Sequence, residues 1–96
     1  MKQWEINSSV RKMLTLNWID VDVLLVNTVG NTIFLKGSIK FQGRLIREED
    51  GPAVNEHLSK VEEAILEIQG LEFIKWELSN WIKSNGEWKR LANIQV

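Results

Sequence analysis

The chain has 96 residues, enough for one domain, and its 44% hydrophobic and 26% charged residues exclude a disordered protein. Its formal net charge of −1 provides no global field that would attract nucleic acid or a membrane, so any such attraction requires a local patch. It has no cysteine, which excludes disulfides, thiol catalysis and thiolate metal sites. We therefore expect a single domain spanning residues 1–96.

The expected cellular location depends on three features that the sequence lacks: a signal peptide, a membrane span and cysteine. The amino-terminal residues show no apolar stretch of the kind a signal peptide needs, and no segment approaches the roughly 20 apolar residues of a membrane span. A chain without cysteine is compatible with a reducing compartment. We expect a cytoplasmic protein without a transmembrane segment.

The first predicted elements are a helix and a strand. Apolar residues recur at helical spacing over about residues 5–15, which predicts a short helix. In the strand that follows, side chains alternate between two faces. We assign to the face beneath the helices Ile19, Val21, Val23 and Leu25. The opposite face then carries Asp20, Asp22, Leu24 and Val26.

A second strand completes the first hairpin. Gly30 and Asn31 tolerate a positive φ and predict the turn. The inward row of the second strand is Ile33, Leu35, Gly37, Ile39 and Phe41. The outward row is Phe34, Lys36, Ser38, Lys40 and Gln42.

The second helix has the clearest sequence pattern. Asp50-Gly51-Pro52 is typical of a helix start, because a capping side chain precedes a proline in the first turn. One apolar stripe follows, formed by Val54, Leu58, Val61, Ile65 and Ile68. We expect Gly70 to end this helix with a positive φ, and Gly37 to lie beneath a helix where a side chain would separate the layers.

The carboxy-terminal part predicts a second hairpin. Asn85-Gly86 is the strongest short hairpin signal, so we place a third strand over about residues 71–84 and a fourth over about 87–92. The predicted fold class is α+β, with the order α-β-β-α-β-β. Its four strands form one small, mostly antiparallel or mixed sheet with two helices packed on one face.

Two segments resemble the BON domain, a small module of bacterial proteins. The run Ile33-Phe34-Leu35-Lys36-Gly37-Ser38-Ile39 resembles the valine-x-leucine-x-glycine-x-valine second strand of that family. The run Gly70-Leu71-Glu72-Phe73-Ile74 resembles its glycine-valine-x-x-valine entry into the third strand. The resemblance covers about residues 6–78 and implies the same α-β-β-α-β order. It also implies phospholipid surfaces or other envelope components as partners.

A row of basic residues is the first candidate site. Lys36, Lys40 and Arg44 fall four residues apart, so on an extended strand they point to the same side. The row suits phosphate head groups or another anion. A solvated face, with the lysines paired to acidic residues across the hairpin, is the structural alternative.

An aromatic and cationic ladder is the second candidate site. A two-residue turn places Lys83 opposite Trp88, and Trp81 opposite Arg90, with all four side chains on one face. If Trp81 and Trp88 are exposed, as we predict, this face suits anionic lipid, stacked bases or a partner's apolar patch. Cross-strand pairs with cation–π contacts are the structural alternative.

The outward face of the sheet is the third candidate site. We predict that its apolar residues form a face for self-association, because a lone sheet rarely leaves such a patch exposed. These residues are Leu24, Val26, Phe34 and Phe73. An open sheet edge is a further route to association.

No catalytic constellation is recognisable. The single histidine, His57, has no cysteine partners and predicts no metal site, and no glycine loop would cradle a phosphate. We expect no enzyme activity, no cofactor and no metal. The first hypothesis is a protein-interaction module that binds itself or another protein. The second is binding of an anionic ligand, a phospholipid surface before nucleic acid.

Overall fold

The computed structural model describes residues 2–43, 46–47 and 50–91. Its elements in chain order are α1 (Gln3–Leu16), β1 (Leu24–Val29), β2 (Thr32–Gly37), α2 (Gly51–Leu66), β3 (Phe73–Leu78), β4 (Trp81–Ser84) and β5 (Glu87–Arg90), with a short 3-10 helix, Val21–Val23, before β1. The α+β class is confirmed. None of the helices in the described ranges is long and apolar enough to cross a membrane.

α1 ends in a Schellman motif at Trp18. The Trp18 amide donates to the Thr15 carbonyl at 3.1 Å, and the Ile19 amide donates to the Leu14 carbonyl at 3.0 Å. Trp18 takes the position that glycine usually holds there, with φ +64°. The side chains of Ile19 and Leu14 are both buried in the core.

The buried and exposed rows of β1 are the reverse of those predicted. Asp20 caps the 3-10 helix by accepting from the Asp22 amide at 2.9 Å, so residues 20–23 do not continue the strand pleat. The alternation therefore restarts at Leu24, and the buried row of β1 is Leu24, Val26 and Thr28. The predicted inward residue Leu25 is 67% exposed. A slip by one residue moves every side chain of a strand to the other face.

β1, β2 and β3 form one mixed sheet. β1 and β2 are antiparallel, and β3 lies parallel to β2 on its other side. The predicted inward row of the second strand is confirmed for Ile33, Leu35 and Ile39, which are all buried.

The prediction that Gly37 lies beneath a helix is wrong, because its nearest neighbours are backbone atoms of Val23 and Leu24. Gly37 has φ +136°, and a Cβ added there would overlap the carbonyl oxygen of Val23. That carbonyl accepts from the Ser38 amide at 3.1 Å, which holds the two chain segments together. Glycine is therefore required by the close approach of another stretch of backbone.

α2 begins as predicted and ends earlier than predicted. The Asp50 side chain accepts from the Ala53 amide at 3.2 Å, and Pro52 lies in the first turn. After Leu66 the chain tightens, since the Ile68 amide donates to the Ile65 carbonyl three residues back. Gly70 has the expected positive φ, +98°, but lies beyond the helix in the turn that leads to β3.

β4 and β5 form a separate two-stranded sheet, so the predicted third strand is divided in two. The break is at Asn80, whose side-chain amide donates to the Ile39 carbonyl at 2.7 Å and accepts from the Ile39 amide at 2.9 Å. These bonds hold Asn80 against the end of the first hairpin. β4 therefore does not extend the line of β3.

The helices and the inward faces of the strands share one apolar core. α1 packs on β1, α2 packs on β5 and β3, and the two helices contact each other. The fully or nearly buried apolar residues are Ile6, Val10, Leu14, Ile19, Leu24, Val26, Ile33, Leu35, Ile39, Val54, Leu58, Val61, Ile65, Leu71, Trp81 and Trp88. The other face of the three-stranded sheet lies outside this core.

Candidate functional site

The uncovered face of the three-stranded sheet carries three rows of side chains. The strand registers place Val29, Thr32 and Phe73 in one row. Asn27, Phe34 and Lys75 form the middle row, and Leu25, Lys36 and Glu77 form the last. We call these nine residues the uncovered face.

The apolar residues of the uncovered face differ in part from the predicted set. Phe34 and Phe73 lie there as predicted, and Phe73 is 59% exposed. Leu24 and Val26 do not, because the shifted alternation of β1 buries both in the core. Leu25 takes their place together with Val29, which is also exposed. The Lys75 ammonium lies 5.9 Å from the centre of the Phe34 ring, which partly covers that ring.

The pairing of the second hairpin is confirmed, and its predicted exposure is wrong. Trp81 pairs with Arg90, and Lys83 pairs with Trp88. However, Trp81 is only 2% exposed and Trp88 only 3% exposed. The hairpin turns this face toward α2, because two indole rings bury far more apolar area there than they would in an open ladder. An exposed stacking surface formed by these tryptophans is therefore excluded.

The Glu62 carboxylate joins α2 to three strands. Its Oε2 accepts from the indole Nε1 of Trp76 at 3.0 Å. Its Oε1 accepts from the Lys83 ammonium at 2.8 Å and from the indole Nε1 of Trp88 at 3.3 Å. The Trp76 and Trp88 rings meet edge to face, with centroids 5.2 Å apart. We call Glu62, Trp76, Lys83 and Trp88 the Glu62 cluster. It fixes the hairpin on the helix.

The Glu62 cluster borders a cleft of about 420 Å³ between β3 and β4. Its lining residues are Glu62, Ile74, Lys75, Trp76, Glu77, Leu78, Trp81, Ile82, Lys83 and Trp88. Within the part of the chain that the structure describes, the buried indole Nε1 of Trp81 has no hydrogen-bond acceptor. Buried donors are nearly always paired, so an indole without an acceptor is unusual.

The predicted basic row is only partly within the described residues. Lys36 and Lys40 are both exposed, and Arg44 lies outside the described residues. Lys36 is flanked across the sheet by Leu25 and Glu77. The structure therefore leaves two lysines of the row in solvent.

His57 has a structural environment. Its Nε2 donates to the Asn17 carbonyl at 2.7 Å, and its ring meets the Phe41 ring edge to face at 5.8 Å. No group of three or more histidine, cysteine or acidic residues in the described ranges is placed to hold a metal ion.

The sequence reasoning missed two features of these surfaces. Three donors converge on Glu62, a residue that the apolar stripe of the second helix does not single out. The exposed row of β1 was missed because Asp20-Val21-Asp22 was interpreted as strand. The signal for the exposed row was Asp20, because an aspartate side chain can accept from the amide two residues later and so favour a turn over a strand.

Comparison with protein-family models, curated proteins and solved structures finds no match for this chain.

Proposed function

We propose that this protein is an interaction module that self-associates through the uncovered face. The observation that carries the proposal is the exposure of Leu25 and Phe73, together with Val29, on a sheet face that no helix of the described chain covers. Apolar side chains on one face of a sheet are ordinarily buried against another layer. A second copy supplies such a layer.

The uncovered face suits a second copy of the chain. A net charge of −1 leaves little repulsion between copies, and the face itself carries both signs through Lys36, Lys75 and Glu77. Two such faces would stack as a sandwich about 10 Å apart. The association would therefore add an outer layer to the sheet.

The size of the uncovered face limits the strength of the dimer. Three strands of six residues span about 14 Å by 20 Å, from strand spacings of roughly 4.8 Å and a rise of roughly 3.3 Å. Stable interfaces bury about 800 Å² of accessible surface on each partner. The face alone is smaller, so we expect a dimer that dissociates readily on dilution.

The test is sedimentation over a wide concentration range. The native protein should show a concentration-dependent increase in mass, and the double variant Leu25→Lys, Phe73→Lys should remain a monomer with stability changed by no more than about 0.5 kcal/mol per substitution. Leu16→Lys is the matched control, because Leu16 is equally exposed but lies on α1. A native protein that stays monomeric at high micromolar concentration would remove the proposal.

Binding of an anionic surface is the second candidate. The exposure of Lys36 and Lys40 and the resemblance to the BON domain support it. Because Trp81 and Trp88 are buried, this candidate rests on Lys36 and Lys40 of the predicted basic row. We expect negligible co-sedimentation with vesicles of anionic phospholipid at physiological salt. Strong, salt-sensitive binding that Lys36→Gln and Lys40→Gln abolish would place this candidate first.

A further inference from the structure

The cleft beside the Glu62 cluster runs along the edge of a strand. Five consecutive residues of β3, 74–78, line it. Alternate side chains of a strand point to opposite faces, so consecutive residues line the same cleft only at the strand's edge. Three consecutive residues of β4, 81–83, line the opposite wall. The cleft therefore separates the edges of two strands.

The main-chain groups at the β3 edge have no strand partner in the described chain. The Phe73 amide donates to the Asn31 carbonyl and the Ser79 amide donates to the Gly37 carbonyl, so the odd-numbered amides of this segment face β2. The even-numbered amides and carbonyls, at Ile74, Trp76 and Leu78, face the other way. Among the described strands, β3 pairs with β2 alone and β4 pairs with β5 alone. An open edge of this kind is a template for another extended chain.

The Trp81 indole forms part of one wall of the cleft. Its Nε1 has less than 1 Å² of accessible surface, so a group that enters the cleft meets the ring and does not reach this nitrogen. The open edge of β3 is therefore the source of hydrogen bonds for a chain in the cleft.

The dimensions agree with a short extended segment. A strand occupies roughly 4.8 Å between neighbours, 10 Å between layers and 3.3 Å along its axis per residue. A cleft of about 420 Å³ therefore holds about three residues of extended chain. Apolar walls at Ile82 and the Trp76 and Trp88 rings favour uncharged side chains at those positions.

We propose that this cleft binds an extended peptide segment of a partner protein, which adds as a strand to the open edge of β3. Main-chain hydrogen bonds would supply most of the affinity, and the tryptophan walls would select the side chains. The cleft shares Lys75 and Glu77 with the uncovered face but none of its exposed apolar residues, so the proposal does not depend on self-association.

The first test is amide hydrogen exchange of the free protein by NMR. The amides of Lys75 and Glu77 should be protected by β2, and those of Ile74, Trp76 and Leu78 should exchange much faster. Protection of the even-numbered amides that rises with protein concentration would show that a second copy occupies the edge. That result would overturn the proposal.

The second test uses linear heptapeptides selected from a displayed library against the native protein. A synthetic selected peptide at ten times its Kd should slow exchange at the even-numbered amides about tenfold. It should also shift the indole proton resonances of Trp76 and Trp88, whose rings line the cleft. N-methylation of one alternate set of peptide amides should weaken binding at least about tenfold, and N-methylation of the other set should not.

Three results would contradict the addition of a strand at the edge of β3. A library that yields no peptide, or peptides that bind equally well with either set of amides methylated, would show that no strand is added. Peptides that protect the amides of β1 instead of those of β3 would place the site elsewhere. Each of these results would overturn the proposal, and none of them would affect the dimer.

Discussion

Replacing Gly37 with alanine should lower the free energy of unfolding by about 3 kcal/mol or more. Two costs add at this position. Its φ of +136° disfavours any residue with a Cβ, and the new Cβ would overlap the Val23 carbonyl oxygen. That oxygen cannot retreat without breaking its bond to the Ser38 amide. The measurement is urea denaturation followed by circular dichroism.

Gly30→Ala is the matched control for Gly37→Ala. Gly30 also has a positive φ, +61°, but a Cβ there would meet no atom within 4 Å. Gly30→Ala should therefore lower the free energy of unfolding only by the cost of a positive φ, about 1 kcal/mol. Equal losses for the two variants would show that the contact with Val23 contributes nothing.

Replacing Glu62 with alanine should lower the free energy of unfolding by about 2–4 kcal/mol. The Glu62 side chain is 14% exposed and accepts from two indoles and one ammonium. Lys83 is partly in solvent, so its ion pair contributes at most about 1 kcal/mol. Most of the loss should come from the indoles of Trp76 and Trp88, which would be left without an acceptor.

Two further variants separate the contributions of Glu62. Glu63→Ala removes the neighbouring exposed carboxylate and should change stability by no more than about 0.5 kcal/mol. Glu62→Gln keeps one acceptor oxygen but turns an amide donor toward the indoles, so its loss should be intermediate. In the indole region of the NMR spectrum, the Trp76 and Trp88 protons should shift in Glu62→Ala and not in Glu63→Ala. If Glu62→Ala were as stable as Glu63→Ala, the cluster would not hold the hairpin.

The sequence alone determined the elements whose signals are local. Asp50 and Pro52 start α2 within one turn, and one apolar stripe defines its buried face. Asn85 and Gly86 both have a positive φ, so the turn itself fixes the pairing of Trp81 with Arg90. In each case the deciding residues lie within a few positions of one another. Their backbone preferences can therefore be predicted from the local sequence, without knowledge of any long-range contact.

The exposed face of β1 and the division of the sheet at Asn80 could not be predicted from the pattern of apolar residues. The face that β1 exposes depends on the Asp20 side chain, which forms a turn of 3-10 helix instead of allowing the strand to continue. The division of the sheet depends on Asn80, which bonds to Ile39, 41 residues earlier. Neither outcome follows from the alternation of apolar residues.

The burial of the hairpin was decided by tertiary structure. Hydrophobic periodicity predicts which residues share a face, but it does not say whether another element covers that face. Trp81 and Trp88 were correctly placed on one face of the hairpin. In the structure α2 covers that face, and Glu62, 26 positions before Trp88, accepts from the Trp88 indole. The pattern of apolar residues thus fixed the ladder. Only the packing of α2 onto it made the ladder part of the core and left the uncovered face and the cleft as the candidate sites.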